Sequence, residues 1–240
     1  MGLTMIELVG FDADDTLWHS EIHFQSAHAE FERIVGAYVD LADARLHDRM
    51  LATERRNIQL FGYGAKGMTL SMIETAVEIT GERITAADVH RLLEIGKSIL
   101  RHPVQLLPDV RAAVEAVASE FAVVLITKGD LFHQEAKVRQ SGLAELFHRI
   151  EIVSEKDQPT YTRLLAEFAV PADRFAMVGN SLRSDIEPVV RLGGFGVHVP
   201  YAVTWALDNE HELEPAHERV IEVAGATGIA AAIQELAQRG

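Results

Sequence analysis

The sequence predicts an α/β protein, a parallel sheet covered by helices on both faces and interrupted by a separate all-helical segment. Two observations lead to this prediction. After residue 104, short apolar runs of strand length alternate with helix-length segments, which is typical of a parallel sheet with crossover helices. Between residues 19 and 103 apolar residues recur at three- and four-residue spacing, without a convincing strand. We therefore predict a Rossmann-like three-layer core from residues 1–18 and 104–240, with an inserted helical domain at 19–103.

The strands of the predicted core are short apolar runs that lie between turn residues. The first is Ile6–Phe11, and four more are expected downstream. These four are Ala122–Ile126, Arg149–Val153, Phe175–Val178 and Gly194–Val199. Helices fill the segments between them, and one of these helices ends at Ser141 because Gly142 follows it.

The inserted segment is predicted to hold four helices. Apolar residues within 24–35 repeat with the spacing of one helix face. Two further helices are expected at Leu41–Leu60 and Thr69–Ile79, separated by a loop at Phe61–Gly67 that contains three glycines. The fourth, Thr85–Leu100, starts with a threonine suited to the N-cap position.

Composition and charge narrow the function classes. The chain has 240 residues, a formal net charge of −14 and no cysteine. An acidic surface repels nucleic acid and anionic lipid, so we expect neither as a partner. Without cysteine there is no disulfide, thiolate metal site or cysteine nucleophile. The sequence shows no secretory signal and no run near the roughly 18 apolar residues of a membrane span, which predicts a cytoplasmic protein.

Acidic residues follow the first predicted strand in the stretch FDADDTL, which begins at Phe11. A buried strand that delivers carboxylates to its carboxyl end is costly unless a cation or a substrate uses them. Asp12 and Asp14 are two residues apart, so in extended backbone their side chains leave on the same side. Two carboxylates that close need a proton or a cation between them, and Mg²⁺ prefers oxygen ligands. The alternative is a solvated turn after a buried strand.

Polar residues also follow three later strands. They are Thr127, Lys156 and the pair Asn180 and Asp185. Ligands of parallel sheets bind outside the carboxyl ends of the strands, so we expect these residues to converge. A carboxylate can attack phosphorus, hydroxyl and ammonium groups can hold phosphoryl oxygens, and further oxygens can hold a metal. Each signal is weak alone, because a threonine or lysine after a strand is more often a cap or a solvated side chain. Together they indicate phosphoryl transfer.

These motifs resemble those of the haloacid dehalogenase superfamily, in its phosphatase type with a helical cap of the C1 type. FDADDTL resembles the first motif, LITKGD the second, the lysine of SEKD the third and GNSLRSD the fourth. The resemblance covers essentially the whole chain, with the cap at residues 19–103. It implies a Mg²⁺-dependent phosphatase that hydrolyses a small phosphate monoester through an aspartyl-phosphate, with a cap that closes to exclude bulk water.

The resemblance implies a role for each motif residue. Asp12 would be the nucleophile, and Asp14 would be the general acid and then the base, so we expect neighbouring acids to raise the pKa of Asp14. Thr127 would bind the phosphoryl group and Lys156 would neutralise its charge. Lys128 could add a backbone N–H or its charge, or remain solvated. The implied Mg²⁺ ligands are Asp12, the Asp14 backbone carbonyl, Asn180 and Asp185.

Two positions bear on the finer assignment. Many relatives have an acid where this sequence has Asn180, so either metal affinity is lower or Asp185 takes the inner-shell place. Dehalogenases of the superfamily lack an acid at the position of Asp14, which favours a phosphate ester over a carbon–halogen bond. A phosphomutase would use the same core residues, so this alternative stays open.

A binding module is the alternative from a different class. Phospho-acceptor receiver domains also carry an acid pair, a threonine and a lysine. They are about half this length, lack a cap and carry the acceptor aspartate on a later strand, so we set this alternative aside. We expect a small phosphorylated metabolite as the partner, and a monomer or a homodimer.

Overall fold

The structure, a computed structural model, describes residues 6–203, 205 and 217–239, except for the side chain of Asp43. Residues 1–5 and 206–216 of the predicted core therefore lie outside the described residues. The strands, in chain order, are β1 Leu8–Phe11, β2 Ala122–Lys128, β3 Arg149–Val153, β4 Phe175–Gly179, β5 Phe195–His198 and β6 Val220–Glu222.

The strands form one parallel sheet in the order β3-β2-β1-β4-β5-β6. From β1 at the centre the chain first adds β2 and β3 on one side, then returns to add β4, β5 and β6 on the other. Ligands of such sheets bind beyond the carboxyl ends, where the strand order reverses, and this point lies beside β1. The predicted parallel α/β sheet is confirmed. Its sixth strand was not predicted, because three residues are too few to show a pattern.

Helices account for most of the remaining described residues. In chain order they are α1 Glu21–Val35, α2 Leu41–Ala44, α3 Leu46–Phe61, α4 Ala65–Ile79, α5 Ala86–Arg101, α6 Val110–Ala118, α7 Leu131–Ser141, α8 Gln158–Phe168, α9 Glu187–Arg191 and α10 Ile229–Arg239. A π-helical turn, Leu182–Ile186, precedes α9. No helix within the described ranges is long and apolar enough to cross a membrane.

Both faces of the sheet are covered by apolar side chains, as a three-layer core requires. Alternate residues of β1 point to opposite faces. Val9 and Phe11 belong to one buried cluster, together with Leu236 of α10. Leu8 belongs to another, together with Leu164 of α8. All four residues of β1 are buried between these clusters, and a charged residue, Asp12, follows at the carboxyl end of the strand.

The described residues divide into two compact units. The first takes the described residues of Met1–Glu21, Val104–Lys128 and Gln134–Gly240 and contains the sheet. The second takes Ile22–Pro103 and Gly129–His133 and is built on helices. It has a separate buried cluster, whose largest members include Phe31, Met72 and Leu92.

The helices of the second unit match the prediction in part. Ala27, Phe31, Ile34 and Val35 lie on the buried face of α1. At the start of α5, the Thr85 hydroxyl accepts a hydrogen bond from the Asp88 N–H at 3.1 Å, which confirms the predicted N-cap.

Two boundaries in this unit were predicted wrongly. The helix expected at Leu41–Leu60 is two helices, because Arg45 adopts the left-handed conformation with φ 48° between them. The loop expected at Phe61–Gly67 is shorter, since α4 already begins at Ala65. Gly67 lies within α4, where a Cβ would come within 2.6 Å of the Gly62 carbonyl oxygen, so this glycine serves close packing rather than a turn.

Candidate active site

The predicted polar residues lie at the carboxyl end of the sheet, within the first unit. Asp12 follows β1, Thr127 is near the end of β2, and Asn180 follows β4. Lys156 follows β3, and Asp185 lies in the π-helical turn after β4. Contacts join most of these residues into two groups, one around Lys156 and one around Asn180.

The first group is an ion cluster of one lysine and two carboxylates. The buried Lys156 ammonium donates hydrogen bonds to Asp12 Oδ1 and, at 2.7 Å, to Asp185 Oδ1. Burial alone would lower the pKa of Lys156, but the charges of Asp12 and Asp185 raise it above its usual range. Asp185 Oδ2 accepts from the Ser181 N–H at 3.0 Å. A Cβ at Gly179 would lie 2.3 Å from Asp185 Oδ2, so glycine at the end of β4 lets this carboxylate approach.

Asp12 is held in place on every side. Its N–H donates to the Val178 carbonyl of β4 at 2.9 Å, and its Oδ2 accepts from the Thr16 hydroxyl at 3.0 Å. The Thr16 oxygen in turn accepts from the Asn180 N–H at 3.0 Å. Burial and the neighbouring Asp185 charge raise the pKa of Asp12 to about 6, although Lys156 acts against the rise. At neutral pH Asp12 is therefore mostly an oriented carboxylate.

Asp14 has a separate set of donors. Its Oδ1 accepts from the Trp18 indole N–H at 2.6 Å, and its Oδ2 accepts from Gln134 Nε2 at 2.9 Å. The Lys137 ammonium donates to both oxygens, at 2.5 and 2.6 Å. Burial alone would raise the pKa of Asp14, but Lys137 and the other donors outweigh it and hold the pKa below its usual value. The expected rise was wrong, because a lysine rather than an acid lies beside this carboxylate.

Asp15 is an acid with a structural task. Its carboxylate accepts from the backbone N–H groups of Ser20 and Glu21, at 2.9 to 3.1 Å, at the start of α1. Negative charge is favourable there, because the first N–H groups of a helix have no partner within the helix. Burial, and to a smaller extent the charges of Asp14 and Asp12, raise the pKa of Asp15 to about 7. The three adjacent acids thus have three distinct environments.

Oxygen atoms suited to a hard cation surround the Asn180 amide. One terminal atom of this amide lies 3.2 Å from the Asp14 backbone carbonyl oxygen and 3.3 Å from Asp12 Oδ2. If the amide nitrogen takes this position, it donates to both oxygens. If the amide oxygen takes it, three acceptor oxygens face one another and need a cation. Amide, carbonyl and carboxylate oxygens are ligands that Mg²⁺ prefers, so this set of groups fits Mg²⁺ when the amide presents its oxygen.

The side chains of Asp12 and Asp14 contact different ammonium groups. Each has its own lysine, and Asp14 faces the Asn180 amide through its backbone carbonyl. In the part of the chain that the structure describes, no three Asp, Glu, His or Cys side chains are arranged to hold a metal. A bound Mg²⁺ would thus depend on an amide and a carbonyl oxygen in addition to Asp12.

The Thr127 hydroxyl is the orphan of the site. It is 1% exposed, and among the described residues its Oγ1 has no hydrogen-bond partner. A buried hydroxyl without a partner costs about 1–3 kcal/mol, so it is expected where a ligand supplies the partner. Lys128 behaves differently, because its ammonium donates to the Ser184 hydroxyl at 2.9 Å and lies 3.5 Å from a carboxylate oxygen of Glu155. Its position leaves the backbone N–H as the simpler way for it to serve a substrate.

Two residues that bind Asp14, Gln134 and Lys137, were not predicted from the sequence. Both are buried on α7, three residues apart on one face of the helix. The signal was present in the sequence, because the face formed by Gln134, Lys137, Val138 and Ser141 is mostly polar although its spacing is that of a buried face. When the helix face that should pack on a sheet carries polar side chains, those side chains are expected to bind other buried polar groups.

Comparison with known proteins agrees with the fold and the motifs. The family model of the haloacid dehalogenase-like hydrolases matches residues 6–193. A solved structure of a haloacid dehalogenase-like family hydrolase from Xanthomonas campestris is 53% identical, with a TM-score of 0.89, and the match covers 98% of this chain and 93% of that one.

More distant structures share the fold. A 2-haloacid dehalogenase from Pseudomonas syringae is 20% identical, with a TM-score of 0.61 and coverage of 96% of this chain and 99% of that one. A HAD-hydrolase from Bacillus subtilis bound to magnesium is 16% identical, with a TM-score of 0.63 and the same coverage. The comparison with curated proteins gave no match. The family model and the 53% identical structure establish the family, and the chain belongs to the haloacid dehalogenase-like hydrolases.

Proposed function

We propose that this hydrolase is a Mg²⁺-dependent phosphatase, which cleaves a small phosphate monoester through an aspartyl-phosphate on Asp12. The observation that carries the proposal is the pair of carboxylates at the end of β1, each with its own lysine. Displacement in two steps needs a nucleophile and then a base, and the two carboxylates can divide these roles. The acid at position 14 also favours a phosphate ester, because the dehalogenases that the sequence resembles lack it.

In the first step a carboxylate oxygen of Asp12 attacks phosphorus, and the bond between phosphorus and the ester oxygen breaks. Lys156, which already contacts Asp12, would offset the phosphoryl charge. The unpartnered Thr127 hydroxyl would donate to a phosphoryl oxygen. The leaving oxygen takes its proton from the Asp14 carboxyl, which must first be protonated against its lowered pKa.

In the second step Asp14 acts as the base, and its lowered pKa means that it enters this step deprotonated. Its carboxylate takes a proton from water, and the water oxygen attacks phosphorus. The bond between phosphorus and Asp12 breaks, which releases phosphate and restores the Asp12 carboxylate. Asp14 is left protonated, so it carries the proton that the next leaving group needs.

Asp12, the Asp14 carbonyl and Asn180 are the residues that would hold Mg²⁺. When bound, this ion neutralises charge on the phosphoryl group and fixes its orientation. We infer that Asn180 is the direct ligand, because one terminal atom of its amide lies within 3.3 Å of both the Asp14 carbonyl oxygen and Asp12 Oδ2. The magnesium in the Bacillus subtilis hydrolase supports the choice of metal by analogy.

The proposal is tested by phosphate release from p-nitrophenyl phosphate and a panel of small phosphate esters, with Mg²⁺ and with EDTA. We expect turnover with Mg²⁺, its loss in EDTA, and a decrease of at least about 1,000-fold in Asp12→Asn, because the amide is not a nucleophile. Asp173→Asn changes an exposed acid of the same unit and serves as the matched control. The absence of turnover on every ester would contradict the proposal.

The same preparations separate the alternatives. Chloride release from 2-chloropropionate would indicate a dehalogenase. A phosphorylated product that is isomeric with the substrate, in place of free phosphate, would indicate a phosphomutase. Either activity should also disappear in Asp12→Asn, because each alternative uses the same nucleophile. These assays therefore decide which reaction the site catalyses, and Asp12 remains the nucleophile in each case.

A further inference from the structure

Four hydrogen bonds from three side chains converge on the Asp14 carboxylate. Trp18 binds one oxygen, Gln134 binds the other, and Lys137 binds both at 2.5 and 2.6 Å. Gln134 Nε2 also donates to the Lys128 carbonyl at 2.8 Å, which ties Asp14 to the end of β2. A carboxylate accepts about four hydrogen bonds in total, so its capacity is filled by these donors.

The three donors constrain the Asp14 carboxylate in different ways. Trp18 and Gln134 each hold one oxygen, so each fixes one end of the carboxylate. Lys137 spans both oxygens, so it can stay on one of them while the other takes up or gives away a proton. An acid that must change its protonation state without changing its place needs such a shared donor.

We propose that Lys137 and Gln134 are positioning residues for the hydrolysis, which act on the reaction only through the Asp14 carboxylate. The inference rests on the proposed phosphatase function and adds the residues that set the geometry of its acid and base. The helix α7 supplies both side chains from one buried face, and Gln134 and Lys137 are 3% and 8% exposed. Loss of the Lys137 ammonium therefore frees Asp14 directly, whereas loss of Gln134 also removes a hydrogen bond to the Lys128 carbonyl.

The leaving group shows whether Lys137 acts through Asp14. Phenolate needs a proton in order to leave more than p-nitrophenolate does, so a misplaced Asp14 slows phenyl phosphate more than p-nitrophenyl phosphate. We expect Lys137→Met to lower kcat/KM for phenyl phosphate at least about tenfold more than for p-nitrophenyl phosphate. Lys137→Arg keeps a donor and should recover part of the loss, and Gln134→Leu should show a smaller effect in the same direction.

A double-mutant cycle makes the test independent of any general damage to the fold. In an Asp14→Asn background, Lys137→Met should change kcat/KM by less than about twofold, because the group on which it acts is gone. Asp14→Asn leaves the buried Lys137 ammonium without its carboxylate, and Lys137→Met removes that charge, so the double variant should have an unfolding midpoint no lower than that of Asp14→Asn. Arg139→Met, on an exposed side chain of the same helix, is the control and should match the wild type on both esters.

The outcomes distinguish the two proposals. An equal loss on both esters, or a loss that persists in the Asp14→Asn background, would overturn the positioning role and leave the phosphatase function in place. The same holds if Lys137→Met behaves like Arg139→Met. If the wild type hydrolyses neither of these esters nor any other ester of the panel, the phosphatase function fails, and the positioning role fails with it.

Discussion

The carboxylates assigned to the proposed chemistry in the first unit and the buried Glu54 of the second unit differ in the groups that pair with them. In the first unit Asp12 and Asp185 share the Lys156 ammonium, and Asp14 has Lys137. In the second unit the Glu54 side chain on α3 is 10% exposed, and its ion-pair partner is His28 at 3.8 Å. Burial and the nearby His47 lower the pKa of His28, so at neutral pH this partner carries little charge.

This difference shows what keeps a buried acid ionised. Burial raises the pKa of Glu54 from 4.5 to about 7, with no other cause of comparable weight. Burial also acts to raise the pKa of Asp14, yet this pKa lies below the usual value because a full ammonium contacts the carboxylate. A lysine thus maintains a charge that the proposed chemistry uses. In the second unit the carboxyl group adds a pH-dependent cost to folding.

The largest effect is expected from removing the lysine of the ion cluster. Lys156→Met leaves Asp12 and Asp185 buried beside each other without their cation. The free energy of unfolding should fall by about 3–5 kcal/mol, and phosphatase activity should fall at least about 100-fold. Urea unfolding at pH 7.5 and p-nitrophenyl phosphate hydrolysis measure the two effects.

Lys97→Met is the control for Lys156→Met, because this lysine forms an exposed ion pair with Glu94 on α5. Exposed pairs contribute about 0–1 kcal/mol, so little change is expected in either measurement. If Lys156→Met were as stable as the wild type, the cluster would not depend on its cation, and the contrast between the two units would lose its physical basis.

The next largest effect is expected from replacing a buried hydroxyl that has no hydrogen-bond partner. Each unit has one such hydroxyl among the described residues. Thr127 in the first unit and Thr75 in the second are 1% and 0% exposed, and the Oγ1 of each lacks a partner among the described residues. Thr127→Val should lower kcat/KM about 10- to 100-fold, because it removes a donor to the phosphoryl group. Its unfolding free energy should stay level or rise by about 1 kcal/mol, because an unsatisfied group is removed.

Thr75→Val is the matched control for Thr127→Val. It makes the same chemical change at an equally buried position of α4, so the effect on stability should be similar. Its kcat/KM should equal that of the wild type. Loss of activity in both variants, or in neither, would show that the orphan hydroxyl of Thr127 has no particular relation to the substrate.

The sequence predicted the parts of the site that follow from strand ends. Asp12, Thr127, Lys156 and Asn180 each come just after or near the end of an apolar run, and parallel strands bring such residues to one edge. Lys137 was not predicted, because it lies within α7 and not at the end of a strand, so the strand pattern does not bring it to Asp14. The same contact reverses the pKa shift expected for Asp14.

Local backbone geometry limited the prediction elsewhere. The left-handed Arg45 ends α2, although arginine is a good helix former and the apolar pattern continues through it. Asp15 also adopts a left-handed conformation, with φ 63°, from which its carboxylate reaches the start of α1. In both cases the tertiary structure decides a backbone conformation that the residue type does not favour.

The smallest effect concerns Glu54, whose ion-pair partner is His28 rather than a lysine. Between pH 4.5 and about 7 the folded chain holds a proton on Glu54 that the unfolded chain has released. The free energy of unfolding therefore falls as pH rises through this window, and the full penalty, about 3 kcal/mol at most, is present above pH 7. Glu54→Gln removes the titration, so relative to the wild type it should gain stability between pH 5 and pH 8.

Urea unfolding at pH 5 and pH 8 measures this gain in unfolding free energy. The control is Glu82→Gln, at an exposed position of the same unit, which should keep the wild-type pH dependence. An equal difference between Glu54→Gln and the wild type at pH 5 and pH 8 would mean that Glu54 is ionised throughout and has a cationic partner, so the two units would treat their buried acids alike.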